Sequence, residues 1–122
     1  MYKSSFCKVS YPEELNAVLC EWKQFCKGTD YQKPLLYGLK LINENNAKVW
    51  ITDTRNGFEN EKADTQWLIH DFMPKLLESS CKEIVFVIEE ESLLLDEIKG
   101  QEQSLSEYFT VTFVKSLDVY KR

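Results

Sequence analysis

Two short runs of large apolar residues constrain this chain more than any other feature. Val49-Trp50-Ile51, within Lys48 to Thr54, and Ile84-Val85-Phe86-Val87-Ile88, within Glu83 to Glu89, show no polar alternation and are too short for buried helices. Such runs are strands covered on both faces, and the first of them belongs in the middle of a sheet. Between them, Trp67, Leu68, Phe72, Met73, Leu76 and Leu77 fall on one broad helical stripe. A helix joining two buried strands is the crossover that parallel pairing requires. Pro74 lies inside that stripe, lacks an N–H and predicts a kink or a break.

The flanking segments complete the order. Ser4 to Tyr11 and Ala17 to Phe25 read as strands joined by the turn-forming Pro12 to Asn16, an antiparallel hairpin. Lys27-Gly28-Thr29-Asp30 breaks that pattern and offers Thr29 or Asp30 as the N-cap of a helix, with Pro34 near its start. Leu35, Leu39 and Ile42, supported by Leu36, recur at helical spacing, and Asn43 to Asn46 end the helix. After the second apolar strand, Ser92 caps a short helix over Leu93 to Ile98, Gly100 stops it and Gln101 to Ser106 is a polar connector. Phe109, Val111 and Phe113 alternate with Thr110 and Thr112, a strand nearer an edge, and Ser116-Leu117-Asp118 could cap a last short helix. The predicted fold class is therefore α/β: a mixed sheet in which an N-terminal antiparallel hairpin is followed by β-α-β-α-β crossovers. At 122 residues, one domain spanning 1–122 is expected, large enough to bury a core without staples.

Charge narrows the partners. Fifteen basic residues against 20 acidic leave a net charge of −5, which argues against nonspecific affinity for nucleic acid or anionic membranes. No window approaches the ~18 apolar residues of a membrane span, and Met1 to Ser5 contain no apolar core of a leader peptide. Cys7, Cys20, Cys26 and Cys81 form no C-x-x-C pair and read as free thiols, which places the chain in a reducing cytoplasm.

Three stretches carry a resemblance. Val49-Trp50-Ile51-Thr52-Asp53-Thr54-Arg55-Asn56, Gln66-Trp67-Leu68 through Phe72-Met73-Pro74-Lys75-Leu76, and Lys82-Glu83-Ile84-Val85-Phe86-Val87 resemble segments of small bacterial proteins in the STAS and SpoIIAA-like group. The resemblance covers about half of the chain directly. It implies a single α/β domain of the kind found in anti-sigma-factor antagonists and, more distantly, in CRAL-TRIO lipid-transfer domains. It also implies a non-catalytic regulatory or protein-interaction role, with another protein or a second copy of the chain as partner and no cofactor. A small-ligand or lipid-binding carrier module is the alternative. Those antagonists are phosphorylated on a Ser or Thr in an Asp-Ser-Ser-Gly-like motif after the central strand. Here that stretch reads Asp53-Thr54-Arg55-Asn56-Gly57, then Asp64-Thr65, so only the position of Thr65 corresponds.

The candidate ligand- or partner-binding residues are Asp53, Thr54, Arg55, Asn56 and Thr65. Asp53 ends a central parallel strand, and ligands of open α/β sheets gather outside the carboxyl ends of the strands. Glu89, Glu90 and Glu91 follow the next strand, and such oxygens suit Mg²⁺ or Ca²⁺. The plainer reading, that Asp53 bonds the backbone of the following loop while the glutamates are solvated, leaves no metal and is preferred. Asp53 with Lys115 also suggests a phosphoacceptor receiver, but the first strands carry no acidic pair to hold Mg²⁺. His70 stands alone without a spaced nucleophile and reads as a surface or half-buried helical residue. Cys7, Cys20 and Cys26 lack zinc-site spacing and read as buried small hydrophobes. Four scattered glycines form no phosphate loop. No acid, base and nucleophile can be assembled, so no enzymatic activity is expected.

Overall fold

A computed structural model of the chain describes residues 1–24, 26–53, 62–87 and 108–115. Six strands form one sheet in sequence order: β1 (Tyr2–Lys3), β2 (Cys7–Ser10), β3 (Ala17–Trp22), β4 (Val49–Asp53), β5 (Glu83–Val87) and β6 (Thr110–Val114). β1 with β2 and β2 with β3 are antiparallel, while β3, β4, β5 and β6 are parallel neighbours. The mixed α/β class expected from the sequence is thus observed, with β4 between β3 and β5 and β6 at the end of the described sheet.

The hairpin starts later than its apolar pattern suggests. Ser4 turns the chain, its N–H bonding the Cys7 carbonyl at 2.9 Å and its Oγ accepting the N–H groups of Phe6 and Cys7. That turn lets Tyr2 and Lys3 pair with Val9 and Lys8 as an extra edge strand. β3 ends at Trp22 rather than running to Phe25, which lies outside the described residues.

Helix α1 (Thr29–Asn45) is capped by Gly28, not by the expected Thr29 or Asp30. Gly28 has φ 61°, ψ −132°, a conformation open to glycine and strained for the alternatives. Its carbonyl accepts the N–H groups of Tyr31 and Gln32. Pro34 sits in the second turn with its ring fully buried, and the helix ends at Asn46 in the left-handed conformation, as the asparagine run predicts. Leu35 and Ile42 point into the core, but Leu36 is 40% exposed, because i+1 turns a side chain away from the buried stripe.

The second helical stretch is three pieces: α2 (Lys62–Trp67), a π-helical turn (Leu68–Phe72) and α3 (Met73–Leu77). The break expected at Pro74 takes the form of that π turn. The Met73 N–H bonds the Leu68 carbonyl five residues back, and Pro74, next along, has no N–H to continue the α pattern and would crowd the carbonyl of residue 70. Leu68, Phe72 and Leu76 are buried, whereas Leu77, placed on the stripe by the sequence, is 37% exposed.

Both helical stretches pack on one face of the sheet. Tyr31, Leu35, Ile42, Leu68, Phe72 and Leu76 share a core with Val18, Cys20, Trp50, Ile84 and Phe86. Parallel strands in simple sequence order are the product of right-handed crossovers that all advance the same way, which places their helices together. By strand alternation Ala17, Leu19, Ile51, Val85 and Val87 point to the other face, where they form a second buried cluster. The helices expected over Leu93 to Ile98 and after Ser116 lie outside the described residues.

Candidate functional site

Strands β4, β5 and β6 end level, and β3 runs one residue further. Register aligns Glu21, Asp53 and Val87 at the carboxyl ends of β3, β4 and β5, so two carboxylates occupy adjacent positions on one rim. Glu21 is half-buried and Asp53 only 4% exposed. Asp53 shares strand parity with Ile51 and so belongs to the face opposite the helices. Thr65, half-buried on α2, belongs to the helical layer instead. The structure therefore does not gather these two candidates on one face. Thr54, Arg55 and Asn56 lie outside the described residues, as do Glu89, Glu90 and Glu91.

Asp64, next to Thr65, is a buried group that sequence reasoning missed. It is 4% exposed, and both its oxygens, at 3.1 and 3.2 Å, accept the backbone N–H of Gly28. A carboxylate at the start of α1 is favoured by the partial positive charge of a helix N-terminus. Asp64 thus ties α2 to α1, a role no local signal announces because the partners are 36 residues apart.

Between the sheet and the helical layer lies a cleft of about 40 Å³. Trp22, Tyr31, Trp50, Thr52, Phe72 and Met73 contribute to its lining. Its walls are fixed by aromatic packing: Trp22 stacks on Tyr31 at 5.3 Å between ring centroids, and Trp50 meets Phe72 edge-on at 5.7 Å. Thr52 is 5% exposed, and its Oγ1 accepts the Trp22 indole N–H at 3.0 Å. That bond gives the buried Thr52 hydroxyl a partner. The signal in the sequence was parity: in Trp50-Ile51-Thr52, the threonine shares the helix-facing side with Trp50.

The thiols are buried, as the sequence suggested. The Sγ atoms of Cys7 and Cys20, on adjacent antiparallel strands, lie 3.4 Å apart. Burial and the neighbouring Cys7 push the Cys20 thiol well above its ordinary value. Burial likewise pushes Cys26 and Cys81 from 9.0 to about 11. Groups held protonated in this way are poor nucleophiles and poor ligands. Among the described residues no group of three His, Cys, Asp or Glu side chains could hold a metal ion. His70 is exposed on the π turn. No helix among the described residues is long and apolar enough to cross a membrane.

Comparison with family models, with curated proteins and with solved structures found no match.

Proposed function

We propose that this chain is a non-catalytic regulatory domain of the STAS/SpoIIAA-like type, which binds a protein partner or a second copy of itself through the rim at the carboxyl ends of its parallel strands. The observation that carries the reading is the alignment of Glu21, Asp53 and Val87 at the carboxyl-end rim of β3, β4 and β5. Ligands and partners of open α/β sheets gather outside the carboxyl ends of the strands, and Thr54-Arg55-Asn56 follow that end of β4 in the sequence. The net charge of −5 suits a cationic partner surface better than a phosphorylated one. The lipid-carrier alternative draws little support from a cleft of about 40 Å³, since a cavity admitting even benzene is about 150 Å³.

Photo-crosslinking in cells tests the rim. A photoreactive residue at Asn56 is expected to give one defined protein adduct, a control at Lys33 on α1 to give none, and Asp53→Ala with Arg55→Ala to abolish the adduct in protein that retains its circular dichroism. Equal adducts from both positions, or an adduct unaffected by the double substitution, would remove the rim as the binding surface.

A further inference from the structure

We propose that the outer edge of β6 is a docking surface for the same strand of a second copy of this chain, paired antiparallel about a two-fold axis at Thr112, so that two six-stranded sheets join into one. The inference is independent of the rim: it concerns the lateral edge of the sheet and stands whether or not a partner binds at the strand ends.

Three observations converge on it. First, β6 pairs with β5 along one side, and among the described residues its other side meets no strand. The Thr110 N–H bonds the Lys82 carbonyl at 3.0 Å, so Thr110, and by parity Thr112 and Val114, direct their backbone groups to β5. Val111 and Phe113 therefore direct theirs outward, two N–H and two C=O groups along one edge. Second, the two ends of the sheet differ in form. β1 is two residues long and carries Lys3, the short, charged form that blunts an edge against pairing. β6 keeps five residues in unbroken register, with no proline, bulge or charge, and Val111, Thr112, Phe113 and Val114 are each partly exposed. An edge of that form is a template for another strand. Third, β6 is complementary to itself. Antiparallel pairing centred on Thr112 sets Val111 opposite Phe113 of the second copy and the reverse, so the outward groups of the two copies close four backbone bonds. On the helix-facing side this opposes a β-branched residue to an aromatic ring twice, a favourable cross-strand pair, and Phe113 is held in place by stacking on Phe86 at 5.5 Å. On the other side Thr112 meets Thr112, its hydroxyl fixed by donating to Glu83 at 2.8 Å. No like charges are opposed in this register, because Thr110 to Val114 carry none. A strand that supplies its own complement selects a second copy over a foreign strand, the isologous contact of two-fold dimers. One strand pair covers less surface than a standard interface, so the association is weak.

Sedimentation equilibrium and amide hydrogen exchange of the full chain over a range of concentrations test the edge. The mass is expected to rise from 14.4 kDa toward twice that value with a midpoint on the order of 100 µM. Exchange at the Val111 and Phe113 amides is expected to slow severalfold as the dimer fills, while Thr112 and Val114, bonded to β5, stay protected at every concentration. Val111→Pro removes an outward donor and no bond to β5, and Thr112→Lys sets two like charges on the axis. Each is expected to weaken the dimer at least about tenfold with circular dichroism unchanged. Should neither variant fold, the alternating exchange pattern of the unaltered chain decides. A single chain at every concentration up to about 1 mM, which leaves the edge to water or to the strand of another protein, overturns the proposal. So does a dimer that survives both substitutions, a mass that climbs past two chains, or a dimer without added protection at Val111 and Phe113. Asp53→Ala with Arg55→Ala is expected to leave the dimer intact, which separates its failure from that of the rim.

Discussion

Gly38 shows what a single residue settles in this fold. It lies in the middle of α1, where glycine weakens a helix, yet the Trp50 indole rests against it. A Cβ at this position would sit 2.3 Å from the Trp50 ring carbon Cη2, which no packing tolerates without movement. Gly38→Ala is therefore expected to destabilise the chain by about 1–3 kcal/mol in spite of the better helix propensity of alanine. A urea midpoint lowered at constant slope would show it, and an unchanged or raised midpoint would refute the contact. In the sequence Gly38 is only one of four scattered glycines that form no phosphate loop. The requirement for it became visible once α1 lay across β4. Asp53 and Thr52 make a similar pair: the sequence singled out the charged residue at the strand end, while the neighbouring hydroxyl, one residue earlier and on the other face, is the group the cleft presents.

At the scale of elements, the helical stretch from Lys62 to Leu77 tests how far periodicity reaches. Its broad stripe correctly marked Leu68, Phe72 and Leu76 as core, and Pro74 correctly marked an irregularity. Periodicity does not tell a kink from a π turn, because the difference lies in which carbonyl the Met73 N–H selects. It also assigned Leu77 to the buried side, although Leu77 follows Leu76 by one position and so turns toward solvent. Phe72→Ala is expected to cost about 3–5 kcal/mol, and Leu77→Ala to stay within about 0.5 kcal/mol of the parent. Paired denaturation curves check this, and a similar cost for both would mean that the π turn does not hold Phe72 inward. The cap of α1 carries the same lesson. Thr29 and Asp30 are good local cap residues, but Gly28 takes that place while Asp64, from a distant helix, accepts its N–H.

Across the whole molecule, the buried thiols link folding to pH. Cys26 and Cys81 are pushed by burial from 9.0 to about 11, so the folded state holds their protons more tightly than the unfolded chain does. Their contribution is intact below the unfolded value and is lost as pH rises from about 9 through about 11. Urea midpoints are expected to hold from pH 7 to about 8.5 and to fall above about 9. The fall should be smaller in Cys26→Ala with Cys81→Ala, a comparison that separates the thiols from the tyrosines and lysines titrating in the same range. An equal alkaline loss in the double variant would exclude them as its source.

The sequence by itself determined the class of fold. Two doubly apolar strands, an alternating third and a helical stripe between them leave few arrangements that bury every apolar run, and right-handed crossovers order the strands. Burial demands of this kind are local in the chain and legible in periods of two and 3.6. Only the tertiary structure decided which side chains meet. It joined Asp64 to Gly28, Trp22 to Thr52 and Trp50 to Gly38 across gaps of 36, 30 and 12 residues, and it placed Asp53 and Thr65 on opposite sides of the sheet. Contacts of that kind depend on register and packing distance, which no pattern within a single segment encodes, and the cleft beside Thr52 is made of them.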